Sequence, residues 1–322
     1  MRKWIVDGFG AAALLVASLA SAQQWPAKPV KMISVFPPGG SVDQVARVLA
    51  QQLQTQMGQT FIVENRTGAA GSIGTQVVAS SPPDGYTFAV VFDTHAVNPF
   101  LIPNLSFDTL KDLAPVMLVG TSPMAIVTQA NQPYKDFRDV IAAAKANKAS
   151  LSMGSIGTGS LGHLALAQID KALGIDITHI PYRGGGPLMV DAVGGQVPLA
   201  IGSVFLVTPH VKGGKLRALA VTSLKPAPQL PGAAPLAEQG MPGFSALSWW
   251  GIFAPAHTPQ PIIDKMVEEL GRALKDPAVA KKLTDQGIDI ESGGPEALDK
   301  FVRGEMARWE KVVKENGIRA GD

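Results

Sequence analysis

The segment Val30–Gln44, which reads VKMISVFPPGGSVDQ, decides the fold of this chain. Its apolar first half predicts a β-strand that ends at Phe36, and the two prolines and two glycines that follow break the strand. An amphipathic pattern then runs from Val42 to Met57 and predicts a helix. Strand, glycine-rich turn and helix in this order open an α/β unit. Ser41 and Gln44 have the spacing of a capping box, so Ser41 is the expected cap of this helix.

The same alternation continues along the chain. Further strands are predicted at Thr60–Glu64 and Tyr86–Phe92, with a second series near Ala125–Thr128, Leu151–Met153, Thr178–Ile180, Leu199–Gly202 and Leu216–Thr222. Helices are predicted at Ile73–Ala79, Phe137–Ala146, Leu161–Leu173 and Leu188–Val193. A strand at Trp249–Ala254 precedes three more helices, Pro261–Leu274, Pro277–Gln286 and Pro295–Asn316. The second series predicts a second, mostly parallel α/β layer.

The segment Ser223–Gly243 interrupts this alternation. It contains five prolines and has no clear hydrophobic periodicity. We therefore expect it to form an excursion between units rather than part of a core.

Length and composition limit the class of protein. A chain of 322 residues, 46% of them hydrophobic, can bury more than one core, and two domains are the natural expectation. The 28 basic and 26 acidic residues are scattered, which argues against nucleic acid or an anionic membrane as a partner held by bulk charge. The absence of cysteine excludes disulfides, thiolate metal sites, cysteine nucleophiles and a lipidated amino-terminal cysteine.

The first 22 residues have the pattern of a secretory signal peptide. Two basic residues precede an apolar, alanine-rich run, Phe9–Leu19, and Ala20–Ala22 supplies a small-residue cleavage site. The run is shorter than the roughly 20 residues that a membrane-spanning helix needs, so a permanent anchor is the weaker interpretation. We expect a soluble mature protein that begins at Gln23, carries no lipid anchor and is exported to a periplasm.

Two glycine-rich loops, each between a strand and a helix, have the chemistry of anion sites. The first is the turn of the opening segment, and the second, Gly154–His163, leads into a predicted helix. Unpaired N–H groups and the helix dipole favour an anion at a helix N-terminus, so a ligand with two acid groups could be held between the two loops. An ordinary capped turn is the alternative for either loop. The candidate ligand-binding residues of the loops are Phe36, Pro38, Gly39, Gly40, Ser41, Asp43, Gly157, Thr158, Gly159 and Ser160.

The second loop also matches a dinucleotide-binding pattern. Gly157, Gly159 and Gly162 satisfy G-x-G-x-x-G, and Asp176 falls near the place of a ribose-binding acid. We reject this interpretation because NAD is not a routine cofactor of exported proteins and because no convincing second strand ends at the acid. No cofactor is expected.

Further candidates follow other predicted strands, at the edge where open α/β sheets bind ligands. They are Thr94, His95, Arg183, Ser203 and Phe205, and a further candidate, Trp250, lies at the start of the predicted strand Trp249–Ala254. His95 either donates to a carboxylate or is a buried structural group. Arg183 either clamps an acid or is a solvated turn residue. Trp250 is either part of a cleft wall or a core residue.

Catalytic and metal-binding patterns are absent from the sequence. It contains neither a G-x-S-x-G elbow nor an H-E-x-x-H motif, and the five histidines are far apart without ligand spacing. Serine, histidine and aspartate side chains are present, but nothing in their spacing indicates a triad. We expect neither an enzyme nor a metal site.

A series of short motifs lies in order along nearly the whole mature chain. The motifs are Lys28–Lys31, Phe36–Gly40 with Asp43, Ala46-Arg47, Val63–Arg66, Gly68–Gly71, Pro83–Thr87, Asn98-Pro99, Ala114–Val116, His163-Leu164, Pro181–Gly184, Gly213 with Lys215–Arg217, Leu219–Ser223 and Ala254-Pro255. Together they resemble the extracytoplasmic substrate-binding receptors of tripartite tricarboxylate transporters, the Bug-type solute-binding proteins.

The resemblance implies a two-domain α/β fold of the periplasmic-binding-protein type, the type II Venus flytrap, with the ligand cleft between the domains. It implies a discontinuous first domain, residues 23–122 and 226–322, and a second domain, residues 123–225. It also implies that the two glycine-rich loops bind carboxylate, largely through backbone amides and ordered water, and that membrane permease subunits receive the ligand. We expect a monomeric transport protein rather than an enzyme.

The identity of the ligand does not follow from the resemblance, because cleft positions beyond the carboxylate loops vary in this family. Phe36, His95, Phe205 and Trp250 could flank a flat apolar body, so we expect a dicarboxylate, with an aromatic one such as terephthalate at least as favoured as citrate or an aliphatic acid. Two alternatives remain. One is an exported hydrolase that uses His95 or His163 with a nearby hydroxyl, and the other is a ligand sensor for a signalling partner.

Overall fold

The computed structural model describes residues 25–147 and 151–319, so the expected signal peptide lies outside the described residues. The strands are β1 (Val30–Ser34), β2 (Phe61–Asn65), β3 (Thr87–Val91), β4 (Leu113–Gln129), β5 (Ser152–Ser155), β6 (Thr178–Pro181), β7 (Leu199–Ser203), β8 (Leu216–Val221), β9 (Leu247–Pro255) and β10 (Asp289–Gly293). The helices are α1 (Ser41–Met57), α2 (Ser72–Ala79), α3 (Asn98–Leu101), α4 (Phe137–Ala146), α5 (Leu161–Leu173), α6 (Gly185–Gly194), α7 (Val204–Lys212), α8 (Gln260–Lys275), α9 (Pro277–Thr284) and α10 (Pro295–Asn316). Within these ranges, no helix is long and apolar enough to span a membrane.

The strands form one sheet in two parts. Its order is β2-β1-β3-β9-β4-β7-β5-β6, and β10 and β8 also pair with β4. β1 is parallel to β2 and β3, and β5 is parallel to β6 and β7. β9 is antiparallel to β3 and β4, and β4 is antiparallel to β7 and β8. The α/β alternation predicted from the sequence is therefore confirmed, and in the second layer the parallel pairing predicted from the sequence holds for β5, β6 and β7, while β4 pairs antiparallel with β7 and β8.

A single strand, β4, joins the two parts of the sheet. Its residues 113–123 pair with β9, and its residues 124–129 pair with β7 and β8. We call residues 25–123 with 247–319 the first unit, residues 124–222 the second unit, and residues 223–246 the linking segment. The change of pairing partners within β4 supports our proposal that residues 23–122 and 226–322 form one domain and residues 123–225 the other.

Buried apolar side chains form two clusters that cross the boundary between the units. One cluster contains the core of the first unit together with α6 and α7 of the second. The other contains α4 and α5 of the second unit together with Val97, Leu101, Trp309 and Val313 of the first. Helix α10, which carries Trp309 and Val313, thus begins on the first unit and ends against α5.

The linking segment contributes to both clusters, so the prediction that it lies outside a core is wrong. Ala227, Leu230 and Ala233 belong to the first cluster, and Leu236 and Met241 belong to the second. These side chains are separated by prolines and irregular turns, so they become buried without the periodicity by which a helix or strand is recognised.

Buried Gln239 ties the linking segment to the second unit. Its Oε1 accepts a hydrogen bond of 2.8 Å from the backbone N–H of Phe137, the first residue of α4. Its Nε2 donates to the carbonyl oxygens of Leu219 at 3.1 Å and Ala234 at 2.9 Å. One amide side chain therefore satisfies three backbone groups in an interior where water cannot replace it.

Most differences between predicted and observed elements concern edges, but three elements, the short helix α3, helix α7 and strand β10, were not predicted. Helix α7 follows β7 directly and contains Pro209, which interrupts a helical pattern. Strand β10 is short and half-buried, and among the described strands it pairs with β4 alone. The first half of β4 is also missed, because prolines at positions 115 and 123 lie within it.

We predict that Gln239→Leu lowers the free energy of unfolding by about 3 kcal/mol, because it leaves three buried backbone groups without partners. Chemical denaturation followed by circular dichroism measures the loss. Gln54→Leu, at an exposed position of α1, is the matched control and should change the stability by less than about 0.5 kcal/mol. Equal stability of the two variants would contradict the role given to Gln239.

Candidate functional site

A cavity of about 620 Å³ lies between the two units. Its walls are segments that follow β1, β2 and β3 in the first unit and β5 and β6 in the second. These are the carboxyl ends of parallel strands, where open α/β sheets bind ligands. The lining residues are Phe36, Thr67, Gly68, Ala69, Ala70, Gly71, Asn98, Leu101, Ile102, Ile156, Gly157, Thr158, Pro181, Tyr182 and Arg183.

Four of the residues predicted from the sequence line this cavity: Phe36, Gly157, Thr158 and Arg183. Phe36 comes from the first loop, Gly157 and Thr158 come from the second, and Arg183 follows β6. The structure thus brings one end of each glycine-rich loop to a shared space. The other predicted residues lie in contacts between the units or in the core, as described below.

The segment Gly68–Gly71, which the sequence analysis did not propose as a ligand site, forms part of the first unit's wall. All four residues have positive φ, with 43° at Ala69 and 51° at Ala70. An alanine held in this region costs about 1 kcal/mol or more, and such strain concentrates at functional sites. The side-chain amide of buried Asn98 holds the turn by donating to the carbonyl of Ala70 at 3.0 Å.

This strained turn leads directly into α2, so that the N-terminus of α2 lies at the cavity. Gly71 is the N-cap of α2, and no side chain caps the helix. Because uncapped first-turn N–H groups and the helix dipole attract negative charge, this wall offers donors to an anion. Its only sequence signal was the string Gly68–Gly71, which matched a family motif but carried no side chain of obvious chemistry.

Among the described residues, Arg183 is the only charged one that lines the cavity. The neighbouring Asp191 accepts a hydrogen bond of 2.9 Å from the hydroxyl of Tyr182. Burial, followed by that bond to Asp191, raises the pKa of Tyr182 to about 12, so Tyr182 stays neutral. Arg183 itself is exposed and forms no ion pair with any described residue. A cavity with one unpaired guanidinium and no carboxylate suits an anionic ligand.

The remainder of the first loop forms a contact between the units rather than a cavity wall. A Cβ atom on Gly186 would lie 2.6 Å from the carbonyl oxygen of Pro38, and one on Gly184 would lie 2.7 Å from Pro37 Cδ. Gly40 likewise faces the backbone of the same α6 segment. Only residues without side chains allow this approach, so the run Gly184–Gly186 sets how closely the units meet.

The expected cap on α1 is corrected by the structure. Gly40 is the N-cap and Ser41 is already the first helical residue, with no side-chain cap. Asp43 reaches back instead, and its Oδ2 accepts from the N–H of Gly39 at 3.1 Å. A carboxylate bonds to the turn more strongly than a hydroxyl, which explains why Asp43 replaces Ser41.

Asp43 is held in place by two further partners. Arg47 lies 2.9 Å from its Oδ1, and Asn65 donates to the same oxygen at 2.8 Å. Burial raises the pKa of Asp43, but the hydrogen bonds from Arg47, Asn65 and Gly39 outweigh burial and hold that pKa below its ordinary value. The carboxylate therefore stabilises the turn.

A carboxyl group of the protein lies at the N-terminus of α5, where we expected a ligand anion. The N–H of Leu161 donates to Oδ1 of Asp93, from the first unit, at 3.3 Å. Ser160 is the N-cap and accepts from the N–H of His163 at 3.4 Å. The N–H of Gly159 donates to Nδ1 of His163 at 3.1 Å. Gly159 and Ser160 therefore organise this helix end, while Gly157 and Thr158 face the cavity.

His95 is enclosed by aromatic rings. Its ring centroid lies 4.8 Å from that of Phe253, and Phe107 and Trp249 complete the enclosure. Neither ring nitrogen has a hydrogen-bond partner among the described residues. Burial lowers the pKa of His95 to about 3, so the ring is neutral. The neighbouring Thr94 is equally buried.

Phe205, Trp250 and Ser203 lie in the core where β9 meets the second unit. The ring centroids of Phe205 and Trp250 are 5.7 Å apart, and Phe92 lies 5.0 Å from Trp250 on the other side. Ser203 caps α7 by accepting from the N–H of Leu206. Of the four rings expected to flank a flat ligand, Phe36 alone lines the cavity.

The hydrolase alternative requires an accessible nucleophile beside a histidine, and the described residues show none. Oγ of Ser155 lies 2.7 Å from Nε2 of His179, but Ser155 is only 1% exposed. His163 stacks on His179 with centroids 3.8 Å apart, which places its ring inside the second unit. Within residues 25–147 and 151–319, no group of histidine and acidic side chains could hold a metal ion.

Comparison with known proteins places this site in a family. Residues 45–318 match the profile of the tripartite tricarboxylate transporter family receptor. The structure of the periplasmic binding protein BugD is 34% identical, with a TM-score of 0.88 over 92% of this chain and 100% of BugD. An R. palustris protein solved with adipate is 33% identical, with a TM-score of 0.88 over 92% of this chain and 99% of that one. MatC from Rhodopseudomonas palustris, solved with malate, is 31% identical, with a TM-score of 0.84 over 90% of this chain and 100% of MatC.

These likenesses confirm the resemblance drawn from the sequence and the two-domain periplasmic-binding-protein fold. They also confirm that the protein is a binding receptor and not an enzyme, because the family consists of receptors. The chain is a Bug-type member of the tripartite tricarboxylate transporter receptor family, a solute-binding receptor whose two α/β units enclose a cavity with one unpaired cation.

Proposed function

We propose that this receptor captures a dicarboxylate with an apolar body and delivers it to a membrane permease. The observation that carries the proposal is the composition of the cavity wall. Among the described residues of the wall, Arg183 is the one that is charged, and Asn98, Thr67, Thr158 and Tyr182 are polar, while the uncapped end of α2 adds backbone donors. The remaining wall is apolar or glycine.

The balance of charge favours two acid groups rather than three. One guanidinium can bind one carboxylate through paired hydrogen bonds, and the helix end of α2 on the opposite wall suits a second. A third carboxylate would lie against Leu101, Ile156 or Ile102, where it would lose water without gaining a partner. The relatives solved with adipate and with malate support a dicarboxylate.

An aromatic body retains less support than a flexible aliphatic one. His95, Phe205 and Trp250 are core residues, so the stacking surface available to a flat ligand is reduced to Phe36 and its neighbour Tyr182. Terephthalate therefore becomes the test case rather than the leading candidate. We expect an apolar spacer between the two carboxylates whether the ligand is aliphatic or aromatic. Polar groups on the spacer would lose their water against the aliphatic side chains of the wall.

Titration calorimetry with adipate, malate, citrate and terephthalate tests this proposal. We expect adipate to bind most tightly, since its spacer is apolar, and citrate to bind at least about a hundredfold more weakly, because its third charge finds no partner. Bound ligand should be recovered unchanged. Preference for citrate, or turnover of any ligand, would contradict the proposal.

Arg183→Gln should weaken binding of the preferred dicarboxylate by about tenfold to a hundredfold, because one charge-assisted pair of hydrogen bonds is lost. The matched control is Arg138→Gln, which removes an exposed arginine of the second unit that pairs with Asp136 away from the cavity. Calorimetry on both variants measures the difference. Equal affinities would mean that Arg183 is a solvated turn residue.

Export to the periplasm rests on the sequence of the first 22 residues and on the family, whose structure BugD is described as periplasmic. We propose that cleavage after Ala22 releases a protein without a lipid anchor, which serves the transporter from solution as a monomer. The permease subunits are the partners that family membership supports.

Mass spectrometry of the protein from a periplasmic extract should find an amino terminus at Gln23. Ala22→Trp, which places a bulky residue at the cleavage site, should leave the precursor uncleaved, and Gln24→Trp, outside that site, should not. An intact Met1 terminus on the periplasmic protein would contradict the signal-peptide interpretation.

A further inference from the structure

A carboxyl group of the first unit is buried against a helix end of the second. Asp93 is only 1% exposed, and its Oδ1 accepts from the N–H of Leu161 at 3.3 Å. Its Oδ2 has no hydrogen-bond partner among the described residues. An ionised carboxylate with an unpartnered oxygen is unfavourable in such a place, and protonation at Oδ2 removes the buried charge.

The groups around Asp93 do not supply a compensating cation. Glu305 on α10 adds a second negative charge nearby, and its own partners are Trp309 at 2.7 Å and Arg308 at 3.9 Å. His95 on the same turn is neutral, and His163 is the titratable residue of the first turn of α5. Helix α3, strand β9 and the turn Ala69–Gly71, which also pack here, contain no titratable residue.

Burial, together with the charge of Glu305, raises the pKa of Asp93 from its ordinary value of 3.8 to about 7, although the N–H groups of Leu161 and Thr94 lower it. Burial raises the pKa of Glu305 as well. Both acids thus prefer the neutral form more than an exposed carboxyl does.

The burial of Asp93 depends on contact between the units. Leu161 belongs to the second unit, and the adjoining Gly159 packs so closely on Leu101 of the first that a Cβ there would lie 2.2 Å from Leu101 Cδ1. If the units separate at this contact, the carboxyl group meets water and regains the acidity of an exposed carboxylic acid. Closure and protonation are therefore linked through one side chain.

We propose that Asp93 is a proton-operated latch, so that the closed receptor takes up a proton at this carboxyl group and the open receptor releases it. In the closed form Oδ1 accepts from Leu161 and the proton resides on Oδ2. Between the ordinary carboxyl pKa and about 7 the closed form binds more protons than the open form. Closure is therefore favoured as the pH falls, and that advantage is lost as the pH rises through 7.

The test needs no ligand, so it stands apart from the proposal about dicarboxylates. Carbon-13 NMR of the aspartate carboxyl groups should show a group that titrates near pH 7 and is missing in Asp93→Asn, whereas the signal of Asp170 on α5, whose pKa burial also raises to about 7, should remain in that variant. A wedge variant, Gly186→Val, should move the midpoint of Asp93 down by at least about 2 units, because its Cβ would lie 2.6 Å from Pro38 O and hold the units apart. In Gly194→Val, at the other end of α6, the added Cβ meets only Gln196 at 3.9 Å, and the midpoint should stay.

Small-angle X-ray scattering measures the consequence for the open and closed populations. We expect the radius of gyration of the unliganded protein to increase from about pH 5.5 to about pH 8.5, and that of Asp93→Asn to stay small throughout, because asparagine is always neutral. Glu305→Gln should keep the increase, which separates the two acids. A midpoint for Asp93 near 4 in the wild type, or an expanded Asp93→Asn protein at both pH values, would overturn the proposal.

Discussion

The close approach of two backbones, one from each unit, is the constraint on which the rest of this structure depends. The turn Pro37–Gly40 lies against the run Gly184–Gly186 at a distance that admits no side chain. This contact fixes the separation of the strand ends above it and so defines the width of the cavity. The seating of Asp93 on α5 and of Leu101 against Gly159 requires the same approach. Glycine here acts through the absence of a Cβ atom.

The fold was largely predictable because periodicity reports local structure well. The helices Phe137–Ala146, Leu161–Leu173 and Pro295–Asn316 have the predicted limits, since each has an apolar stripe and a clear start. The linking segment was misjudged because Leu230 and Leu236 are buried by tertiary contacts that no local pattern encodes. Strand β4 was only half recognised, since its prolines resemble breaks when the neighbouring strands are not known.

The site was less predictable than the fold, for a different physical reason. Sequence reasoning recognised glycine-rich strand–helix turns as anion sites but could not tell which helix ends the other unit would occupy. At α5 the occupant is Asp93, at α1 the turn is closed by Asp43, and α2 begins at the cavity without a side-chain cap. The prediction that aromatic rings flank the ligand failed for the same reason, because a ring such as that of Trp250 packs as well in a core as in the wall of a cleft. Arg183 could be proposed from the sequence because an arginine that follows a strand end can be recognised without knowledge of its tertiary contacts.

The contact between glycine backbones has a consequence for kinetics. For a receptor that must close around its ligand, the apparent affinity is reduced by the fraction of the unliganded protein that is in the closed form. Here the closed arrangement is supported by interactions of the protein with itself, including the glycine run, the α10–α5 packing and the buried turn at residue 93. Those interactions also have to break before a ligand can leave, so they lengthen its residence time in the cavity without adding a single contact to it. On the proposed closing mechanism, we therefore expect the rate of release to depend largely on residues that the ligand never touches.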